Sequence, residues 1–309
     1  MRPFRLLRLL LLPALAAACA APGETFDFDT CGVRPRAEIP IEMRGNIPLM
    51  RATIKGQTAT LVLDTGAVSV ALTEQAMARF DLGHDKNMVV VGAGVGGQTR
   101  SFAGRLEDFR IGTLPVPDHK VSVLPASAGI LRSGMVDGLF GVSVLSVFEV
   151  ELDLPRRKVT LYGGKLCRDT MAPPWADGAY VVAAERSERG RFLVPVELNG
   201  RTLTALLDTG ASVTVLSADI ARALGVTAEM LAADPKASLA GIGPAIAPAW
   251  VHRFREIRFA GQVFADPEIV VSDRADPAVD MIIGADYLAH RRIWLSYARK
   301  LVFIAPPGP

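Results

Sequence analysis

Leu61-Val-Leu-Asp64-Thr-Gly-Ala-Val-Ser-Val-Ala-Leu-Thr73 places a carboxylate at the end of an apolar run. Burial of a carboxylate is costly unless it is hydrogen-bonded or near neutral. Thr65 and Gly66 supply a hydroxyl, backbone N–H groups and a residue free to make a tight turn. A lone Asp-Thr-Gly is a weak signal, because the same triplet makes an ordinary turn. A second copy changes its weight. Ala205-Leu-Leu-Asp208-Thr-Gly-Ala-Ser-Val-Thr-Val-Leu-Ser217 repeats the pattern at an offset of 208 − 64 = 144.

The repeat extends outward in both directions. At the same offset Gly56 meets Gly200, Thr58 meets Thr202, Thr60 meets Thr204 and Leu72 meets Leu216. Gly94-Val-Gly96 meets Gly241-Ile-Gly243 at 241 − 94 = 147, and Leu139-Phe-Gly141 meets Ile282-Ile-Gly284 at 282 − 139 = 143. The stretch 150–161 then meets 293–304, again at 143. The matches keep one order with nearly constant offset, which points to duplication. The expected organisation is a leader over 1–19, a tether over 20–37, a first lobe over 38–165, a linker over 166–178 and a second lobe over 179–309.

Periodicity makes these lobes mostly β. Short apolar or alternating runs flank Lys55-Gly56 and Asn199-Gly200, the signature of hairpins. Short helices are expected over 74–80 and 218–224, and closing strands over 158–162 and 301–304.

Composition narrows the function classes. Of 309 residues, 50% are apolar and 21% charged, a globular balance long enough for two domains. Net charge is +2 with no basic block, which argues against a nucleic-acid partner. Arg2, Arg5 and Arg8 precede an apolar run over 6–15 that is too short for a permanent membrane span, so 1–19 reads as an export signal. Ala16-Ala-Ala-Cys19 resembles the lipobox of bacterial lipoproteins, with Cys19 acylated, although Leu15 lies one residue too far upstream. Cleavage after Ala18 or Ala20 is the rival. The expected location is the periplasm, with membrane contact only through that lipid. Cys31 and Cys167 then remain as a pair, either one disulfide or two thiols. No metal-spaced Cys/His set exists, and His84, His119, His252 and His290 are scattered.

The D-T-G-A unit, followed by a Gly-rich segment and then by two apolar residues and Gly, resembles the retropepsin-like aspartic proteases. Two units in one chain are similar to the pepsin arrangement. The resemblance covers nearly all of residues 45–305. It implies an all-β, bilobal acid-protease fold: two β-barrel-like lobes with short helices, related by a pseudo-twofold axis. It implies a catalytic dyad of Asp64 and Asp208, loops locked together by Thr65 and Thr209, and close approach at Gly66 and Gly210. Gly141 and Gly284 would support the aspartates. Gly92, Gly94, Gly96 and Gly97, with Gly241 and Gly243, become flap candidates.

The implied activity is endopeptidase action on an extended peptide, by a monomer, without metal or other cofactor. Carboxyls about 3 Å apart cannot both ionise and share a proton. Pepsin-type enzymes usually carry Ser or Thr after D-T-G, whereas Ala67 and Ala211 stand here. One fewer donor to the ionised form raises the lower apparent pKa, so activity is expected at weakly acidic to neutral pH. The alternative is a non-catalytic peptide-binding or scaffold lipoprotein of the same fold, though neither aspartate is replaced. Two half-domains that each pair with another chain are disfavoured by the short linker, which keeps the partner half at high effective concentration.

Three other signals carry less. Gly92-Ala-Gly-Val-Gly-Gly97 fits a dinucleotide-binding pattern but lacks a following helix. Asp137 and Asp280, each before the apolar-apolar-Gly motif, read as turn residues that satisfy backbone groups. Trp175, Trp250 and Trp294 read as core or interface.

Overall fold

The structure, a computed structural model, describes residues 32–125, 135–165, 172–243, 245–273 and 278–306. Cys19, Cys31, Cys167 and the leader lie outside the described residues, as do the linker residues 166–171. The architecture is all-β, with short helices packed beside the strands.

Each half is built around the same knot of strands. In the first, the hairpin Ile47–Ile54 and Gln57–Leu63 is closed by Lys55 and Gly56, with φ of 45° and 75°. Two successive positive φ values match the twist of the strands, and Gly takes the second without a steric cost. Asn199 and Gly200, at 51° and 86°, do the same between Phe192–Leu198 and Arg201–Leu207. Gly138–Phe140 then lies parallel to Gln57–Leu63 and antiparallel to Ala71–Thr73. Met281–Ile283 lies in the same way between Arg201–Leu207 and Val215–Ser217. Each Asp-Thr-Gly therefore leaves the end of a central strand whose inward residues, such as Leu61, Leu63, Ala205 and Leu207, are fully buried or nearly so.

The expected helices form as Glu74–Arg79 and Ala218–Ala223. Thr73 caps the first by accepting from the Ala76 N–H at 3.0 Å. Val142–Leu145 and Ala285–Leu288 follow Gly141 and Gly284 in the two halves.

A sheet joins the halves. Glu149–Asp153 pairs antiparallel with Arg292–Ser296, Glu151 opposite Trp294. Lys158–Lys165 and Gly32–Arg44 extend it on one side, Leu301–Ile304 and Tyr180–Ala183 on the other. One face of Glu149–Asp153 is apolar and the other carries three buried carboxylates. Glu149 accepts from Trp294 Nε1 at 2.7 Å and Ser296 Oγ at 2.8 Å, and Glu151 accepts from Tyr162 Oη and Arg292 Nε at 2.6 Å each. Buried charge survives there because it is paired and hydrogen-bonded.

Residues 32–37, read from the sequence as tether, are the start of a strand, with Gly32 opposite Lys165. Pro35 and Pro40 obscure it. Pro35 sits at a register shift, and residues 32–40 pair with one neighbour, so the missing proline N–H groups break nothing.

Candidate active site

Both Asp-Thr-Gly turns are clamped to the glycine loop of their own half. The Asp64 N–H donates to Phe140 O at 3.0 Å, and the Asp208 N–H to Ile283 O at 3.0 Å. The Val142 N–H reaches Ala67 O at 2.9 Å, and the Ala285 N–H reaches Ala211 O at 2.7 Å. Gly141 and Gly284 lie against these turns so closely that a Cβ at Gly141 would sit 2.7 Å from Ala67 O, and one at Gly284 would overlap the Val213 backbone. Their absent side chains let the two backbone segments touch.

The turns then grip each other. Thr65 Oγ1 donates to Leu207 O at 2.8 Å and accepts from the Thr209 N–H at 3.0 Å. Thr209 Oγ1 donates to Leu63 O at 2.6 Å and accepts from the Thr65 N–H at 3.1 Å. Both threonines are buried. The four bonds satisfy groups that would otherwise be orphaned at the seam.

The grip brings the carboxyls together. A Cβ on Gly66 would collide with the Asp208 carboxyl, and a Cβ on Gly210 with that of Asp64. The two carboxyls lie within hydrogen-bonding reach of each other. Asp64 Oδ1 accepts from the N–H groups of Gly66 at 2.9 Å and Ala67 at 2.7 Å. Asp208 Oδ1 accepts from Gly210 at 2.8 Å and Ala211 at 3.2 Å.

The electrostatics are less symmetric than the geometry. Burial, and then the charge of Asp208, hold the Asp64 carboxyl well above the usual carboxylate range, against the Ala67 and Gly66 N–H bonds. Burial also raises Asp208, but the Gly210 N–H, the hydrogen bond with Asp64, the Ala211 N–H and the Arg191 guanidinium all work against it. Both carboxyls are thus lifted by burial, and the titration belongs to the pair. Arg191 has no counterpart: Ile47 stands at the matching place, 17 residues before Asp64 as Arg191 is before Asp208. Comparing the two halves position by position would have singled it out from sequence.

The glycine segments of the two halves meet each other. Gly92 and Gly94 lie in His84–Gly94, which pairs with Gly97–Leu106 as a hairpin and not as the start of a dinucleotide fold. The Gly243 N–H donates to Val95 O at 3.0 Å, and the Ala245 N–H to Gly96 O at 3.2 Å. Gly96, at φ 89°, leaves no room for a side chain against Ala245 O. Ile242, between Gly241 and Gly243, faces Gly92 and Gly94 and packs on an apolar cluster of the first half that includes Val62, Leu139 and Ala67. Leu206, Ile282 and Ala211 form the matching cluster in the second half. Ile242 was invisible to sequence reading because its role depends on reaching the opposite lobe.

Asp137 and Asp280 take no part in this site. Asp137 Oδ2 accepts from the Thr60 N–H and Asp280 Oδ2 from the Thr204 N–H, each at 2.8 Å, as expected of turn residues. Among the described residues no three His, Cys, Asp or Glu side chains are grouped closely enough to hold a metal ion.

The family model described as aspartyl protease matches the chain twice, over residues 50–144 and 194–287. These two regions hold the two Asp-Thr-Gly turns and both glycine loops. No curated protein matches the chain.

Proposed function

This chain belongs to the aspartyl protease family, and we propose that it is an endopeptidase that hydrolyses extended peptides with Asp64 and Asp208 as its dyad. The observation that carries the reading is the meeting of two buried carboxyls from separate halves, held by the Thr65–Thr209 grip. Like charges that close cannot both ionise, so one proton is shared and the titration belongs to the pair. A water between them loses a proton to the ionised partner and attacks the peptide carbonyl carbon. The protonated partner donates a hydrogen bond to the carbonyl oxygen as negative charge develops there. The tetrahedral species then collapses as the amide nitrogen takes a proton from the dyad and leaves. Residues of this chain supply every proton position, and no covalent link to the enzyme forms. The glycine segments that meet across the halves, with Ile242 packed on the same cluster as Ala67, fit the task of covering the peptide and excluding bulk water.

A peptide-library digest with wild type and Asp64→Asn tests the reading. Wild type should cleave, and the variant should lose activity by about 10³-fold or more, because it removes the acid–base partner while keeping the acceptor for Gly66 and Ala67. Equal cleavage by both would reject the assigned dyad.

A further inference from the structure

The halves touch at two corners that the duplication makes equivalent. At one, Asn46 Nδ2 of the first half donates to Ser212 O, in the segment after Asp208, at 3.2 Å. At the other, the turn 187–190 of the second half reaches the helix after Gly141, where a Cβ on Gly190 would lie 3.1 Å from Val142. An open recess of about 510 Å³ lies at this second corner. Val68 and Ser143 wall it from the first half, and Arg186, Arg189 and Lys300 from the second. Its wall includes the end of the Asp64 turn: Val68 directly follows Ala67, whose N–H donates to Asp64 Oδ1 at 2.7 Å. The turn ends at Arg191, whose N–H donates to Ser187 Oγ at 3.1 Å and whose charge acts on Asp208.

The corners have diverged in charge. Glu42 and Gly45 occupy the places of Arg186 and Arg189, and Asp286 that of Ser143; Arg157 answers Lys300. The first corner balances its charges, with Glu42 3.7 Å from Arg44 and Asp286 accepting from Thr214 N and Oγ1 at 2.8 and 2.7 Å. The recess instead gathers three cations, all on exposed side chains, against Glu188. One of two corners made equivalent by duplication is thus positive and the other balanced.

We propose that this recess is an anion-recognition subsite, and that the substrate is an extended peptide carrying an acidic side chain within a few residues of the scissile bond, its carboxylate held by Arg189 and Lys300. The inference deepens the peptidase reading and names its substrate class. Arg186 lies over the Tyr297 ring, 5.4 Å from its centroid, and its Nε donates to Gly190 O at 3.4 Å, so it shapes the recess as well as charging it. Arg189 and Lys300 carry the recognition.

The test is a positional-scanning peptide library in which each position holds Glu or its neutral twin Gln, digested by the wild-type chain. One position should favour Glu by about fivefold, the size that one or two exposed charge pairs supply. The preference should shrink toward parity at ~1 M NaCl, where screening acts within roughly 3 Å. The Arg189→Gln/Lys300→Gln chain should cleave Glu and Gln twins alike, and Arg189→Glu/Lys300→Glu should invert the ratio. No Glu preference at any position, or one that survives in both double variants, overturns the subsite. If wild type cleaves nothing, the peptidase reading fails on its own. Fluorescence anisotropy of the same labelled peptides on the Asp64→Asn chain then decides the subsite. Tighter binding of the Glu twin, lost with Arg189→Gln/Lys300→Gln, supports it, and equal binding of the twins overturns it.

Discussion

Asp64 and Asp208 are two copies of one residue in two environments. Both are lifted by burial, but the Arg191 charge acts on Asp208, and the charge of Asp208 raises Asp64 further. Replacing Arg191 with the residue of its counterpart, Arg191→Ile, removes the cation that favours the ionised form of Asp208. The lower apparent pKa of the pair must then rise, because the ionised form loses a stabilising charge. The acid limb of kcat/KM should move to higher pH, so activity falls most at the acid end and least near neutrality. An acid limb that stays in place would show that Arg191 does not act on the dyad. At this scale the aspartates, threonines and glycines of the turns were legible, since each occurs twice with the same neighbours. Arg191 was visible only as a place where the two halves differ, and its role depends on a turn that returns residue 191 to the dyad.

The turns and the glycine segments are elements whose geometry depends on contacts across the seam. Thr65→Val keeps the shape of the side chain but removes the donor to Leu207 O and the acceptor for the Thr209 N–H. Two buried polar groups are left without partners, which costs roughly 2–4 kcal/mol. Thermal unfolding should show the loss, and kcat/KM should fall with it as the carboxyls drift apart. A variant with wild-type stability would mean that the grip is not a structural lock. Among elements, the hairpins at Lys55-Gly56 and Asn199-Gly200 were readable from turn chemistry alone. The strand over 32–44 was hidden by its prolines, and the contact of the Val95–Gly96 tip with Gly243 and Ala245 by its dependence on the other half. Local pattern records which strands form, but not which distant loop closes against them.

On the scale of the whole molecule, the grip and the shared sheet hold the halves in one register, so the carboxyl pair is a property of the assembled chain. In that sheet Arg292 is bound to the buried Glu151 and lies 4.6 Å over the Trp175 ring. Arg292→Met would leave Glu151 buried beside Tyr162 without its charge partner, a loss of about 3–5 kcal/mol. Chemical denaturation should register it, and activity should fall only with the folded fraction. An unchanged midpoint would show that the ion pair adds nothing to stability. The duplication announced both lobes in the sequence, but the pairing of Glu149–Asp153 with Arg292–Ser296 across the halves had no local signal. One proton shared between two carboxyls is the central proposal, and the pH dependence of kcat/KM, measured on wild type and Asp64→Asn with one peptide, tests it most directly. Wild type should give a bell with its maximum at weakly acidic to neutral pH, and the variant should give no activity along the whole curve. A profile with a single limb, a maximum at about pH 2 like that of the most acidic dyads, or a variant that traces the wild-type bell would contradict it.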